Sequence, residues 1–189
     1  MKIQALFILL LLVVLVSGCI SGSMTGTDVM PENTSSGDEI QVIENITTGS
    51  DTVPENYTIQ TFYDTENEMC TVDGTPIVML FSTTRCPHCT WIKETFDKVA
   101  LEYMREGKIF ARHWELDKRD DTLTGGEDEL SEFDVMVYQT FNPRGSVPTF
   151  VFGCRYLRIG NGFERTPDGL ALEETEFRAV FDSLIEDVS

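Results

Sequence analysis

An apolar run that ends at two closely spaced cysteines constrains the fold of this chain more than any other feature. Residues 76–82, PIVMLFS, form a continuous apolar run bounded by Asp73-Gly74 and by threonines. A run of this kind is typical of a strand buried on both faces. CPHC follows at residues 86–89, and apolar residues then recur at helical spacing until Gly107, at Ile92, Phe96, Val99, Ala100 and Tyr103. The pattern predicts a buried strand that leads into Cys-x-x-Cys at the N-terminus of a helix.

The remaining elements predict an α/β fold. Residues 108–116 read as a second strand, and residues 147–152 and 155–159 as a hairpin around Gly153-Cys154. The acidic run at residues 117–132 predicts a solvated loop and a helix start. A closing helix is marked by Phe177, Val180, Phe181, Leu184 and Ile185. This order predicts a central sheet flanked by helices.

The N-terminus predicts export. A lone Lys2 precedes an apolar run at residues 5–16, which is shorter than the roughly 20 residues that a membrane helix needs. Residues 16–19, VSGC, resemble the lipobox of prokaryotic lipoproteins. The resemblance implies a signal peptide at residues 1–18 and a lipid on Cys19, which would anchor the chain to the outer face of the cell membrane. An ordinary export signal and an uncleaved anchor are the alternatives.

Residues 19–60 predict a disordered tether, since they are rich in Ser, Thr, Gly, Asp and Glu and their apolar residues keep no period. Asn33, Asn45 and Asn56 are candidate glycosylation acceptors in this stretch, although a chain of Asn, Ser and Thr also produces such triplets by chance. The folded domain is expected at residues 61–189. A net charge of −18 argues against nucleic acid as a partner and against electrostatic docking on anionic lipid.

The cysteine pair suits disulfide exchange better than metal or haem chemistry. Covalent haem needs a histidine directly after the second cysteine, where this chain has Thr90. Structural zinc usually needs a second such pair, and the chain has none, so no metal and no cofactor are expected. A copper(I) chaperone stays open, because two thiolates can hold that ion.

The helix N-terminus gives the two cysteines different roles. Its free N–H groups and positive dipole end stabilise a thiolate at Cys86, which is therefore the expected nucleophile. Pro87 fits the first turn, where its missing N–H costs little. Cys89, one turn deeper, is expected to resolve the mixed disulfide.

CPHC after a buried strand, combined with Val-Pro-Thr before a hairpin, resembles the thioredoxin fold. With the lipobox and the tether, FSTTRCPHCTWI and FNPRGSVPTFVFGC are similar to archaeal membrane-anchored thioredoxin-like lipoproteins. The resemblance implies a protein disulfide oxidoreductase that acts on exported protein thiols or disulfides and exchanges electrons with a redox partner protein. It also implies a cis Pro148 beside the cysteines and a Val147 backbone that binds an extended substrate. An ordinary trans proline is the alternative.

The direction of electron flow is less constrained. Pro87 and His88 resemble the pair in periplasmic disulfide oxidases, and a charged His88 would add positive potential near Cys86. The reducing thioredoxins carry a tryptophan and a buried acid where this chain has Arg85 and Leu80, and both changes favour oxidation. A reductase for a specific partner, as in cytochrome maturation, remains the alternative.

With Cys19 lipidated, four cysteines remain, and pairing Cys86 with Cys89 leaves Cys70 and Cys154. In a thioredoxin-like fold these two can lie near one end of the sheet, so a structural disulfide is expected. A second redox relay and two free thiols are the alternatives. His113, on the second strand, is expected to be a packed or surface residue rather than a ligand.

Overall fold

Strand β3, Thr75–Ser82, is the element around which the domain is built, and the computed structural model describes it together with residues 53–54, 56–126 and 129–189. The other strands are β1 Tyr63–Asp64, β2 Thr71–Val72, β4 Phe110–Glu115, β5 Asp120–Asp121, β6 Thr149–Phe152 and β7 Tyr156–Ile159. The helices are α1 Pro87–Arg105, α2 Glu132–Phe141 and α3 Gly169–Val188. The predicted signal peptide, Cys19, Asn33 and Asn45 lie outside the described residues, whereas Asn56 is described and exposed.

The strands form a mixed seven-stranded sheet in the order β1-β7-β6-β3-β4-β5, with β2 paired to β3. β3 is parallel to β4, and the connection between them is α1. β3 is antiparallel to β6, which forms the expected hairpin with β7. The described residues therefore form an α/β domain in which three helices flank the sheet.

The side chains of β3 alternate between two hydrophobic clusters, as expected of a strand buried on both faces. Val78 and Leu80 pack with residues of α1 and α3. Met79 and Phe81 pack on the opposite face, where α2 contributes Val137. Seven of the eight residues of β3 are buried. The prediction of a fully buried strand before the cysteines is thus confirmed.

Aromatic rings fill the layer between the sheet and helices α1 and α3. Phe96 of α1 stacks on Phe152 with ring centroids 5.9 Å apart, and it meets Phe177 of α3 edge to face at 5.7 Å. Such pairs each contribute about 0.5–1.5 kcal/mol beyond the burial of their area. The packing fixes α1, and therefore the cysteines at its N-terminus, against the sheet.

The folded domain begins before the predicted boundary at residue 61. The hydroxyl of Tyr57 donates a hydrogen bond to Glu176, whose carboxylate also accepts from the backbone N–H groups of Gln60 at 2.8 Å and Thr61 at 2.6 Å. The end of the segment predicted to be a tether is therefore bound to α3.

None of the described helices is long and apolar enough to cross a membrane.

Candidate active site

Cys86 is the N-cap residue of α1. Its backbone is extended, with φ −83° and ψ 116°, and its sulfur accepts a hydrogen bond from the N–H of Cys89 at 3.2 Å. Pro87 occupies the first turn, as predicted. A sulfur at an N-cap faces the unpaired N–H groups of the helix, and these groups favour a negative charge there.

Cys89 lies in a different environment from Cys86. The Cys89 side chain is 1% exposed, whereas Cys86 is partly exposed, and both are free thiols. Burial, together with the hydrogen bond to Cys86, raises the pKa of Cys89 to about 12. A thiol with so high a pKa stays protonated at neutral pH, so it is a poor nucleophile until its surroundings change. The geometry fits an attacking Cys86 and a resolving Cys89.

Pro148 lies beside this pair. The Val147–Pro148 peptide bond is cis, and the thiol of Cys86 donates to the carbonyl oxygen of Val147 at 3.7 Å. The two motifs that were 61 residues apart in the sequence therefore meet at one point. An extended chain that paired with the Val147 backbone would bring its own sulfur close to Cys86.

Asn142 holds the loop that carries Pro148. It is 2% exposed and follows the last residue of α2. Its side-chain amide donates to the carbonyl oxygen of Ser146 at 2.6 Å and to the hydroxyl of Thr149 at 2.8 Å, and its oxygen accepts from the Ser146 N–H. Asn142 was not among the residues predicted for the site. Its only signal is an Asn at the end of a helix, which is too common to single it out.

His88 is held by a loop that follows β7. Nδ1 of His88 lies 2.8 Å from Oε2 of Glu164. The amide of Asn161 donates to the backbone oxygen of His88 at 3.0 Å and to Glu164 at 2.9 Å. A cavity of about 490 Å³ lies between this loop, His88, Val147 and Pro148. Glu164 and Asn161 could not be predicted from local sequence patterns, because their link to His88 spans more than 70 residues.

Leu80 and Arg85, which the resemblance contrasts with the reducing thioredoxins, lie in different environments. Leu80 is fully buried in the core, and Arg85 is exposed. Glu115, at the end of β4 and opposite Ser82, is a buried carboxylate on the strand next to β3. It forms ion pairs with Lys118 at 2.8 Å and with Lys93 of α1 at 4.0 Å.

His113 is a packed residue, as expected. It is fully buried, its Nε2 lies 2.8 Å from the hydroxyl oxygen of Ser82, and its Nδ1 lies 2.7 Å from Asp97. Serine, histidine and aspartate in this order resemble a hydrolytic triad, but Ser82 is only 2% exposed and no substrate can reach it. The network satisfies buried polar groups between α1 and the sheet.

Cys70 and Cys154 form a disulfide in the structure, with their Cα atoms 5.3 Å apart. The bridge joins the residue before β2 to the turn between β6 and β7. Within the described part of the chain, no group of three or more His, Cys, Asp and Glu side chains is placed to hold a metal ion.

Comparison with protein-family models, curated proteins and solved structures returned no match.

Proposed function

We propose that the chain is a thioredoxin-like protein disulfide oxidoreductase, anchored by a lipid on Cys19 to the outer face of the cell membrane, that acts on exported proteins. The observation that carries the proposal is the position of the Cys86 sulfur, which caps α1 and lies 3.7 Å from the carbonyl oxygen of Val147, beside the cis Pro148. A partly exposed nucleophile, a buried resolving thiol and a backbone beside them that an extended substrate could contact are the three parts that disulfide exchange requires.

In the oxidising direction, a substrate thiolate attacks the sulfur of Cys86 in the Cys86–Cys89 disulfide. The bond between the two cysteines breaks, and Cys89 leaves as a thiolate and takes up a proton. A second substrate thiolate then attacks the substrate sulfur of the mixed disulfide and releases Cys86 as a thiolate. Two electrons pass from the substrate to the cysteine pair, and a redox partner protein must remove them.

The reducing direction runs through the same mixed disulfide. The Cys86 thiolate attacks a substrate disulfide, and Cys89 then attacks the sulfur of Cys86 and releases the reduced substrate. The Pro87-His88 pair favours the oxidising direction, in which the reduced form of the cysteine pair is the more stable one. Measuring the reduction potential of the pair against glutathione distinguishes an oxidase from a reductase that serves a specific partner.

Single-cysteine variants of the full chain test the proposal. We expect the wild type to catalyse disulfide formation in a reduced, unfolded protein. Cys86→Ala should abolish this activity, and Cys89→Ala should accumulate mixed disulfides that sodium dodecyl sulfate gels without reductant resolve. Cys19→Ser is the matched control, because it should keep the activity but leave the detergent phase or remain unprocessed. Absence of exchange, together with tight copper(I) binding by the reduced pair, would support a copper chaperone instead.

A further inference from the structure

We propose that Glu164 is a positioning residue that acts through His88 to make the Cys86–Cys89 pair less oxidising than its CPHC motif alone implies. The inference rests on the proposed function and deepens it, because it names a residue outside the motif that sets the redox equilibrium of the pair.

Glu164 orients the ring of His88. Nδ1 of His88 lies 2.9 Å from Oε1 and 2.8 Å from Oε2 of Glu164. An ionised carboxylate can only accept hydrogen bonds, so Nδ1 carries a hydrogen in this arrangement. Asn161 bonds both the His88 backbone oxygen and the Glu164 side chain, and this shared partner holds the two residues together.

The loop that carries Glu164 is held rigidly against the core. The carboxylate of Glu173, which is fully buried, accepts hydrogen bonds from the N–H groups of Gly162 at 2.7 Å and Phe163 at 3.0 Å. Its other oxygen lies 2.6 Å from the buried guanidinium of Arg158. Gly169 packs so tightly on the backbone of Phe163 that a Cβ there would clash. The loop is therefore fixed to the core, and Glu164 is presented to His88 without a large ordering cost.

Glu164 carries a negative charge. Burial alone would raise its pKa, but the hydrogen bonds from Asn161 and His88 outweigh burial and lower the pKa of Glu164. The carboxylate is therefore ionised at neutral pH. Arg165 also lines the cavity, but its side chain is exposed, and Glu164 is the charged group that contacts the ring.

The charges of His88 and Glu164 affect the stability of the Cys86 thiolate. A charged His88 would stabilise the Cys86 thiolate and with it the reduced pair, which is what makes a disulfide a strong oxidant. Paired with Glu164, a charged His88 contributes no net charge, because the carboxylate cancels the positive potential that the ring would otherwise add near Cys86. Through His88, Glu164 therefore disfavours the thiolate at Cys86 and with it the reduction of the pair.

The test is the redox equilibrium of Glu164→Gln, which keeps the size of the side chain and its bond to Asn161 but removes the charge. In a glutathione buffer, we expect the reduced fraction to correspond to an equilibrium constant about two- to fivefold larger than that of the wild type, the size expected for one partly exposed charge. For a two-electron couple this is a potential about 9 to 21 mV more oxidising. In the reduced chain, iodoacetamide should alkylate Cys86 of Glu164→Gln several-fold faster than Cys86 of the wild type. The tryptic peptide CPHCTWIK reports this rate.

Two further variants make the test specific. Glu186→Gln removes the same charge from an exposed residue near the opposite end of α3 and should leave both measurements unchanged. In a His88→Ala background, Glu164→Gln should lose most of its effect, because its route to the cysteines is gone. An unchanged equilibrium in Glu164→Gln, an equal shift in Glu186→Gln, or a full effect without His88 would overturn the proposal. Failure of the wild type to catalyse exchange would refute the proposed function alone, since the alkylation rate still reports on Glu164.

Discussion

At the scale of single residues, the two cysteines of the motif differ because the helix places them one turn apart. Cys86 stands at the N-cap, where N–H groups face its sulfur, and Cys89 points into the protein. The same chemical group is thus partly exposed and capped by N–H groups in one position, and buried with a raised pKa in the other. Under the proposed function, this asymmetry predicts that a substrate meets Cys86 first.

Selective alkylation should reveal the asymmetry. In the reduced protein at pH 8, iodoacetamide should label Cys86 at least about tenfold faster than Cys89, because burial raises the pKa of Cys89 to about 12 and alkylation requires the thiolate. Mass spectrometry of peptides quenched at intervals measures both rates. Comparable labelling of the two thiols in folded protein would contradict this assignment.

The same pKa fixes the sign of a stability effect. A thiol whose pKa in the folded state lies above its ordinary value of 9.0 holds its proton more tightly when folded. The resulting contribution to the free energy of unfolding is complete below about pH 9 and is lost as the pH rises toward 12. Stability differences between the reduced wild type and Cys89→Ala should therefore shrink over that range.

At the scale of elements, the loops around the cysteines are held by helices that are remote in sequence. Asn142 ties the Pro148 loop to the end of α2, and Glu173 ties the Glu164 loop to α3. Both anchors are buried side chains that satisfy backbone groups which would otherwise be unpaired. The site is therefore assembled from three helix ends, of which the motif supplies one.

Asn142→Ala should loosen the Pro148 loop. We expect a loss of about 1–3 kcal/mol in the free energy of unfolding, because the Ser146 carbonyl and the Thr149 hydroxyl lose a buried partner. Catalysed exchange should also slow, since the Val147 backbone is no longer held against Cys86. Urea denaturation and the exchange assay measure the two effects.

Gln139→Ala is the control for Asn142→Ala. It removes an exposed amide from the same helix, and its effect on stability should stay within about 0.5 kcal/mol. An Asn142 variant that matched this control in both assays would show that the loop keeps its shape without the anchor.

The cysteine motif could be predicted from the sequence, whereas the side chains that hold the neighbouring loops could not. The path from β3 into α1 could be predicted, because an apolar run, a cysteine pair and a helical period are local patterns. The bonds of Asn142 are also local, but they follow from the shape of the loop rather than from residue type. Glu164 and Asn161 reach His88 only after the sheet and α3 are packed, and the two-residue strands β1, β2 and β5 are too short to show a period.

At the scale of the whole molecule, two long-range links close the domain at its N-terminal side. One is the contact of Tyr57 and Thr61 with Glu176 of α3. The other is the disulfide between Cys70 and Cys154, which are 84 residues apart. The chain between these cysteines contains β3, α1, β4, α2 and β6, and with them the cysteine pair and Pro148. The disulfide therefore restricts in the unfolded chain the segment that builds most of the site.

Removal of this disulfide should destabilise the domain without removing its chemistry. We expect the double variant Cys70→Ala with Cys154→Ala to lose about 2–5 kcal/mol in the free energy of unfolding, because a long loop gains freedom in the unfolded state. Urea denaturation of wild type and variant, both with Cys86 and Cys89 oxidised, measures the loss. Exchange activity should persist wherever the variant is folded. Peptide mapping after alkylation without reductant is the decisive control: free Cys70 and Cys154 in the oxidised wild type would refute the bridge, and reduction as easy as that of Cys86 and Cys89 would favour a redox relay.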